Sequence, residues 1–348
     1  MRTKVMLVVA MFVWVSVAGT APARRPMQAS ATVHRLEASP QTVAWGYFDA
    51  RLAPVLRVES GDVVDVDSLI TSGPDSLERL GAAPSEIQAS LRAVYAEVTD
   101  RGPGGHIVTG PIWVEGAQPG DALEIRILDV DLPIPYGYQA CSPAWTFVPA
   151  NCEEPRSQLI RFDMERMVAP LETGVEIPLR PFFGILGVAP PPEAGRVSSN
   201  PPDRWGGNID NQELVAGTTL FLPIFVEGAN LFVGDSHAAQ GDGELGGTAL
   251  ESSLRGRLQL IVRKDLQLRW PRAETPTHFI AMGSDPDLTK ATEIAVQEAI
   301  DFLVETRSWT PGEANRFASM AADLRMTQIV DDSLGVHVML PKSILGER

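Results

Sequence analysis

Hydrophobic and polar positions along this chain alternate mostly in short runs, the pattern of half-buried strands. Leu123, Ile125 and Ile127 alternate with Glu124 and Arg126. The apolar phase then slips to Leu128 and Val130, which predicts a bulge. Arg51 to Leu69 holds two strand-like runs around the turn Ser60-Gly61-Asp62, and Leu214 to Val233 holds two more around Glu227-Gly228-Ala229-Asn230. Many short strands between Gly- and Pro-rich turns predict a sandwich or a barrel.

Helical periods are fewer. Ser85 and Gln88 have capping-box spacing, beside an apolar stripe of Ile87, Leu91, Val94, Tyr95 and Val98. Ala291, Ile294, Ala295, Ala299 and Phe302 mark a second helix. Pro311-Gly312-Glu313 opens a third, carrying Ala314, Phe317, Met320, Ala321 and Leu324. All three stripes read as core packing. Ala189 to Asp203, rich in Pro, Ser and Gly, reads as a surface loop. The expected organisation is a β-rich body over residues 31–274 and a C-terminal α+β part over 275–348 completing the same unit.

One segment recurs. Pro111-Ile112-Trp113-Val114-Glu115-Gly116-Ala117 returns as Pro223-Ile224-Phe225-Val226-Glu227-Gly228-Ala229, and each copy is followed by Gly-Asp. Turn chemistry alone does not dictate the flanking Pro-Ile, so the echo predicts two related β-units within the body.

The N-terminus adds a location. Arg2 and Lys4 precede an apolar run from Val5 to Val17, and Ala21-Pro22-Ala23 resembles a cleavage site, so residues 1–23 read as a secretory signal peptide. The alternative is an uncleaved anchor. The run is short for a membrane span, and no later run is long and apolar enough. The expectation is therefore a periplasmic or secreted protein with no membrane contact after cleavage. In that setting Cys141 and Cys152 would close one local loop; as two unpaired thiols, neither sits in a nucleophile context. Cleavage leaves 27 basic against 44 acidic residues, a net charge of −17. Such a protein repels nucleic acid and anionic lipid.

Charge is also unevenly placed. Between Trp205 and Leu254 there is no Lys or Arg, but there are seven carboxylates (Asp210, Glu213, Glu227, Asp235, Asp242, Glu244 and Glu251) and one histidine, His237. Crowded carboxylates must be solvated, protonated or neutralised, and no side chain in the segment supplies a cation. In an extended chain Asp235 and His237 share a face, as do Asp242 and Glu244, and Gly241 and Gly243 let the backbone approach a ligand. Such a pocket suits a divalent cation, zinc or calcium. The ion could activate water for attack on a carbonyl carbon, with a second carboxylate as general base. His106, beside the first echo segment, is a further candidate ligand. An acidic Gly-rich stretch is equally an ordinary turn sequence.

Longer motifs weigh against the plain turn. Gly206-Gly207-Asn208-Ile209-Asp210-Asn211, Leu220-Phe221-Leu222-Pro223, Gly234-Asp235 through Glu244, Thr248-Ala249-Leu250-Glu251, Thr109-Gly110-Pro111, Pro119-Gly120-Asp121 and Arg180-Pro181-Phe182-Phe183-Gly184 together resemble the acetamidase/formamidase family, in order over most of the chain. The resemblance implies a mainly β fold: a β-sandwich or jelly-roll-like body, a β-barrel-like unit and C-terminal helices, often in homo-oligomers. It implies hydrolysis of a short linear amide to carboxylate and ammonia, with metal assistance. The resulting assignment gives Asp235, His237, Asp210 and His106 to the metal. Asp242 or Glu244 serves as base or completes the shell, and Asn208 donates to the developing oxyanion. Two departures stand out: Gly246 or Gly247 where many relatives carry Cys, and Trp205 before Gly-Gly-Asn, expected to shrink the pocket or stack over it. Other readings are a non-catalytic exported binding protein on the same fold, or hydrolysis of a cyclic amide or ester.

Overall fold

The structure, a computed structural model, describes residues 31–345; the segment 1–23, expected from the sequence to be a signal peptide, lies outside them. Two large sheets dominate. The first has nine strands in the order Val33–Leu36, Val63–Ser68, Leu254–Arg263, Ala122–Asp131, Thr219–Pro223, Arg272–Glu274, His278–Asp285, Leu334–Pro341 and Asp323–Gln328. The second runs Gly206–Asn208, Phe182–Gly187, Leu231–Ala239, Leu250–Glu251, Tyr136–Cys141 and Arg156–Arg161. Ile107–Val114 also pairs with Leu231–Ala239 and carries Val43–Trp45 and Leu56–Val58. Val64, Val66, Ile125, Ile127, Leu258 and Leu260 of the first sheet share one buried core with Ile112, Phe183, Leu231 and Val233 of the second. The fold is thus mainly β, a sandwich with C-terminal helices. Both sheets keep free edges, so the barrel-like unit does not form a closed barrel among the described residues.

The bulge falls where the apolar phase slips. Ile127 pairs with Leu258 and Asp129 with Arg257, so Leu128 is left over and exposed while Val130 returns to the core. The two runs flanking Gly61 do not form a hairpin: Leu56–Val58 joins the second sheet and Val63–Ser68 the first.

The echo segments lie at two of the chain's crossings between the sheets. Near the first, the chain leaves Ile107–Val114 of the second sheet for Ala122–Asp131 of the first; near the second, it returns from Thr219–Pro223 to Leu231–Ala239. The turns touch: Val114 N–H donates to the Gly228 carbonyl and Gly228 N–H to that of Ala117, each at 3.0 Å. The following Gly-Asp pairs are not equivalent. Asp121 sits in the turn before its strand, whereas Asp235 lies inside Leu231–Ala239.

The C-terminal strands extend the first sheet directly, and helix Leu288–Arg307 packs Ala291, Ala295, Ala299 and Phe302 against them. The third predicted helix spans Pro311–Ala321, capped by a Thr310–Glu313 box. Its predicted stripe fails toward the end: Met320 is exposed, and Leu324 belongs to the next strand and is also exposed. The Ser85–Gln88 box does not form either. Helix Ala89–Glu97 has no side-chain cap, because Gln88 accepts a hydrogen bond from Ser253. The 189–203 segment is only partly a surface loop: Val197–Ser198 pairs with Tyr47–Phe48, and Ala189 and Ser199 are fully buried.

Candidate metal centre and cleft

Strand Leu231–Ala239 is buried along its whole length. Ser236 bonds Ser68 of the other sheet, while Asp235 and His237 flank it in sequence. Next to it, the Gly184 carbonyl accepts the N–H groups of Ile209 and Asp210, drawing Asp210 toward His237. Glu251 pairs opposite His237 across the Leu250–Glu251 strand. His237 Nε2 lies 3.2 Å from Asp235 Oδ2 and 3.3 Å from Glu251 Oε1, and Nδ1 lies 3.8 Å from Asp210 Oδ1. Phe182 meets the imidazole edge-on at 5.1 Å. Glu244 and Asp331 extend the cluster, each within ligand-sharing distance of Asp210.

The cluster is costly as it stands, because buried carboxylates need partners. Among the described residues no Lys or Arg pairs with Asp210, Asp235, Glu244 or Glu251. Both oxygens of Asp210, both ring nitrogens of His237 and Oε2 of Glu251 are buried without a hydrogen-bond partner. Asp210, Asp235 and Glu244 also hold left-handed φ values of 51°, 47° and 47°, unusual for non-glycine residues and concentrated at one place.

Titration follows this crowding. Burial, joined by Glu244 and Asp235, raises Asp210 well above the usual carboxylate range. Burial also raises Glu244 and Glu251, against the opposing pull of His237. Burial pushes Asp331 up to about 7. Asp235 goes the other way, because His237 and His106 outweigh its burial. Burial disfavours the His237 imidazolium, but Glu251 and Asp235 reverse that and raise the ring well above its usual value.

The centre forms the floor of a cleft of about 530 Å³ lined in part by His106, Asn208, Asp235, Glu244, Glu251 and Asp331. His106 is held by Ser199 Oγ at 3.1 Å from Nδ1, and its Nε2 lies 3.8 Å from Asp235. Asn208 Nδ2 donates to Asp331 at 2.9 Å, leaving Asn208 Oδ1 unpartnered.

Of the sequence candidates, Asp210, Asp235, His237 and Glu244 come together, with His106 and Asn208 beside them. Asp242 does not join. It accepts from Arg325 at 2.6 Å and Gln212 at 2.6 Å, and Arg325 also reaches Glu213 at 2.8 Å. Trp205 packs into the inter-sheet core rather than over the cleft. Sequence reasoning did not assign Glu251, Asp331, Ser199 or Gly184 to the site. Glu251 and Gly184 lay in the quoted motifs; Asp331 and Ser199 carried no signal of their own.

The donor set, one imidazole and several carboxylates with unpartnered buried atoms, fits a divalent cation. A concave cleft with convergent polar groups and perturbed titratable residues is the usual setting of a small-molecule site. The sequence matches the Acetamidase/Formamidase family over residues 99–196 and 192–347, and the chain belongs to that family. It is 29% identical over 199 residues to the acetamidase of Mycolicibacterium smegmatis, covering 40% of this chain and 49% of that one. It is 27% identical over 194 residues to the formamidase of Methylophilus methylotrophus, covering 40% and 47%. By these matches the chain spans about half the length of the curated relatives. The crystal structure of an acetamidase from Bacillus halodurans superposes with a TM-score of 0.76 at 29% identity, covering 89% of this chain and 98% of that one.

Proposed function

We propose that this protein hydrolyses a linear amide to a carboxylate and ammonia, using a divalent ion held by Asp210, Asp235 and His237 with Glu251. The observation that carries this reading is the cation-poor cluster of unpartnered ligand atoms beneath the cleft. Family membership and relatives named acetamidase and formamidase support the substrate class.

When bound, the ion would supply positive charge that polarises the amide carbonyl and lowers the pKa of water. The chain's own residues do the rest. Asn208 gives one Nδ2 hydrogen to Asp331 and keeps the other for the oxygen that gains charge. Asp331, on the cleft wall beside Asn208, is placed to take a proton from the attacking water and return it to the leaving nitrogen. Burial around the centre keeps bulk water from screening these charges.

Zinc or calcium suits the donors, and we place the protein outside the cytosol. The Cys141–Cys152 disulfide supports an oxidising compartment. Among the described residues no helix is long and apolar enough to cross a membrane. Ammonia release from formamide, acetamide and larger amides by ion-loaded protein tests the reading. Release that depends on the ion supports it; binding without turnover favours a ligand-binding role.

A further inference from the structure

We propose that Trp145 is a specificity-determining residue, and that the disulfide loop carrying it adapts the cleft to amides whose acyl group is apolar and larger than acetyl. This rests on the amide-hydrolase reading for the reaction, not on which ion is bound.

Volume is the first argument. Acetamide occupies the space of roughly three waters, about 90 Å³ at ~30 Å³ each. The cleft offers about 530 Å³. Its floor is polar, but Tyr138, Ala140, Ala144, Trp145, Pro155 and Val330 give it apolar wall. An acyl chain longer than acetyl would lie along that wall while its amide reached the floor.

Placement is the second. Cys141 and Cys152 close the loop. Thr146 Oγ1 and Phe147 N–H both donate to the Leu245 carbonyl at 3.1 Å, tying the loop to the residue after Glu244. The indole lies against Gly247, where a Cβ would meet Trp145 Cδ1 at 2.0 Å. Ring and carboxylate therefore share one frame. Trp145 still keeps 46% of its surface exposed, although it lines the cleft. A fixed, half-bare aromatic ring is a ready contact for an apolar substrate group.

The test compares kcat/KM for acetamide, butyramide, hexanamide and benzamide in wild type, Trp145→Ala and Trp145→Phe. Each methylene laid on apolar surface is worth roughly three- to fourfold. Wild type should favour hexanamide over acetamide by at least tenfold. Trp145→Ala should cut that ratio about tenfold, and Trp145→Phe should hold it within threefold. If Trp145→Ala does not fold, Trp145→Leu is read for the same loss. A wild type that prefers acetamide, or a ratio unchanged in the folded variant, overturns the proposal. A changed sedimentation mass with an unchanged ratio assigns the ring to a subunit contact and also overturns it. If wild type hydrolyses no amide, the reaction assignment fails on its own. Calorimetric titration with hexanamide then decides: tenfold weaker binding in Trp145→Ala supports the ring's role, and equal binding rejects it.

Discussion

A Cβ placed on Gly184 would lie 2.3 Å from Oδ1 of Asp210. It would also stand 2.8 Å from Asp235 Oδ2 and 2.8 Å from His237 Cε1. The missing side chain at this one position makes room for three candidate ligands. Gly184→Ala should therefore push the donors apart while leaving the sheet paired. The expected result is loss of the bound ion and at least a hundredfold loss of amide hydrolysis, with stability lowered by about 1–3 kcal/mol. Metal content and urea unfolding of the variant check this; full occupancy with full activity would remove Gly184 from the account.

Asp242 and Glu244 separate by environment. Glu244 is buried with the cluster, whereas Asp242 is part-exposed and bound to Arg325 and Gln212. Part-exposed ion pairs contribute about 0–1 kcal/mol. Glu244→Gln should reduce kcat/KM more than a hundredfold, and Asp242→Asn less than about fivefold. The reverse order would give Asp242, and not Glu244, the place at the centre.

His337 gives a pH signature outside the metal cluster. It is fully buried, its Nδ1 is 2.9 Å from Thr327 Oγ1, and burial pushes its pKa down from 6.5 to about 4. Below pH 6.5 the unfolded chain takes up a proton that the folded protein refuses. The stability this ring contributes is therefore complete above pH 6.5 and is lost as pH falls toward 4. Between pH 7 and pH 5 wild type should lose on the order of 1–2 kcal/mol through this group. Urea unfolding of His337→Gln should show a correspondingly flatter profile; equal slopes would contradict the assignment.

The acidic run of the sequence exposed the centre because four of its carboxylates and its histidine do meet. Its reading of charge was one-dimensional, however. The cation that neutralises Asp242 and Glu213 is Arg325, from a strand far along the chain, and periodicity gives no hint of that pairing. The alternating spacing that set Asp242 beside Glu244 failed for a related reason: Gly243 and Glu244 both take positive φ, so the segment turns instead of running extended. Asp331 arrives from the turn after Asp323–Gln328, and only the fold brings it to Asn208. The bulge at Leu128 was legible because it breaks a local pattern. The absent Ser85–Gln88 cap was not, because Gln88 is claimed by Ser253, distant in sequence, from the link between Leu250–Glu251 and Leu254–Arg263.

Metal analysis of the purified protein beside the ammonia-release assay tests the central claim most directly. Wild type should carry a divalent ion, lose ion and hydrolysis together to a chelator, and regain both when the ion returns; His237→Ala, lacking the ring between Asp235 and Glu251, should hold neither. Full hydrolysis by ion-free wild type, or a His237→Ala protein that keeps its ion and its activity, would contradict the account.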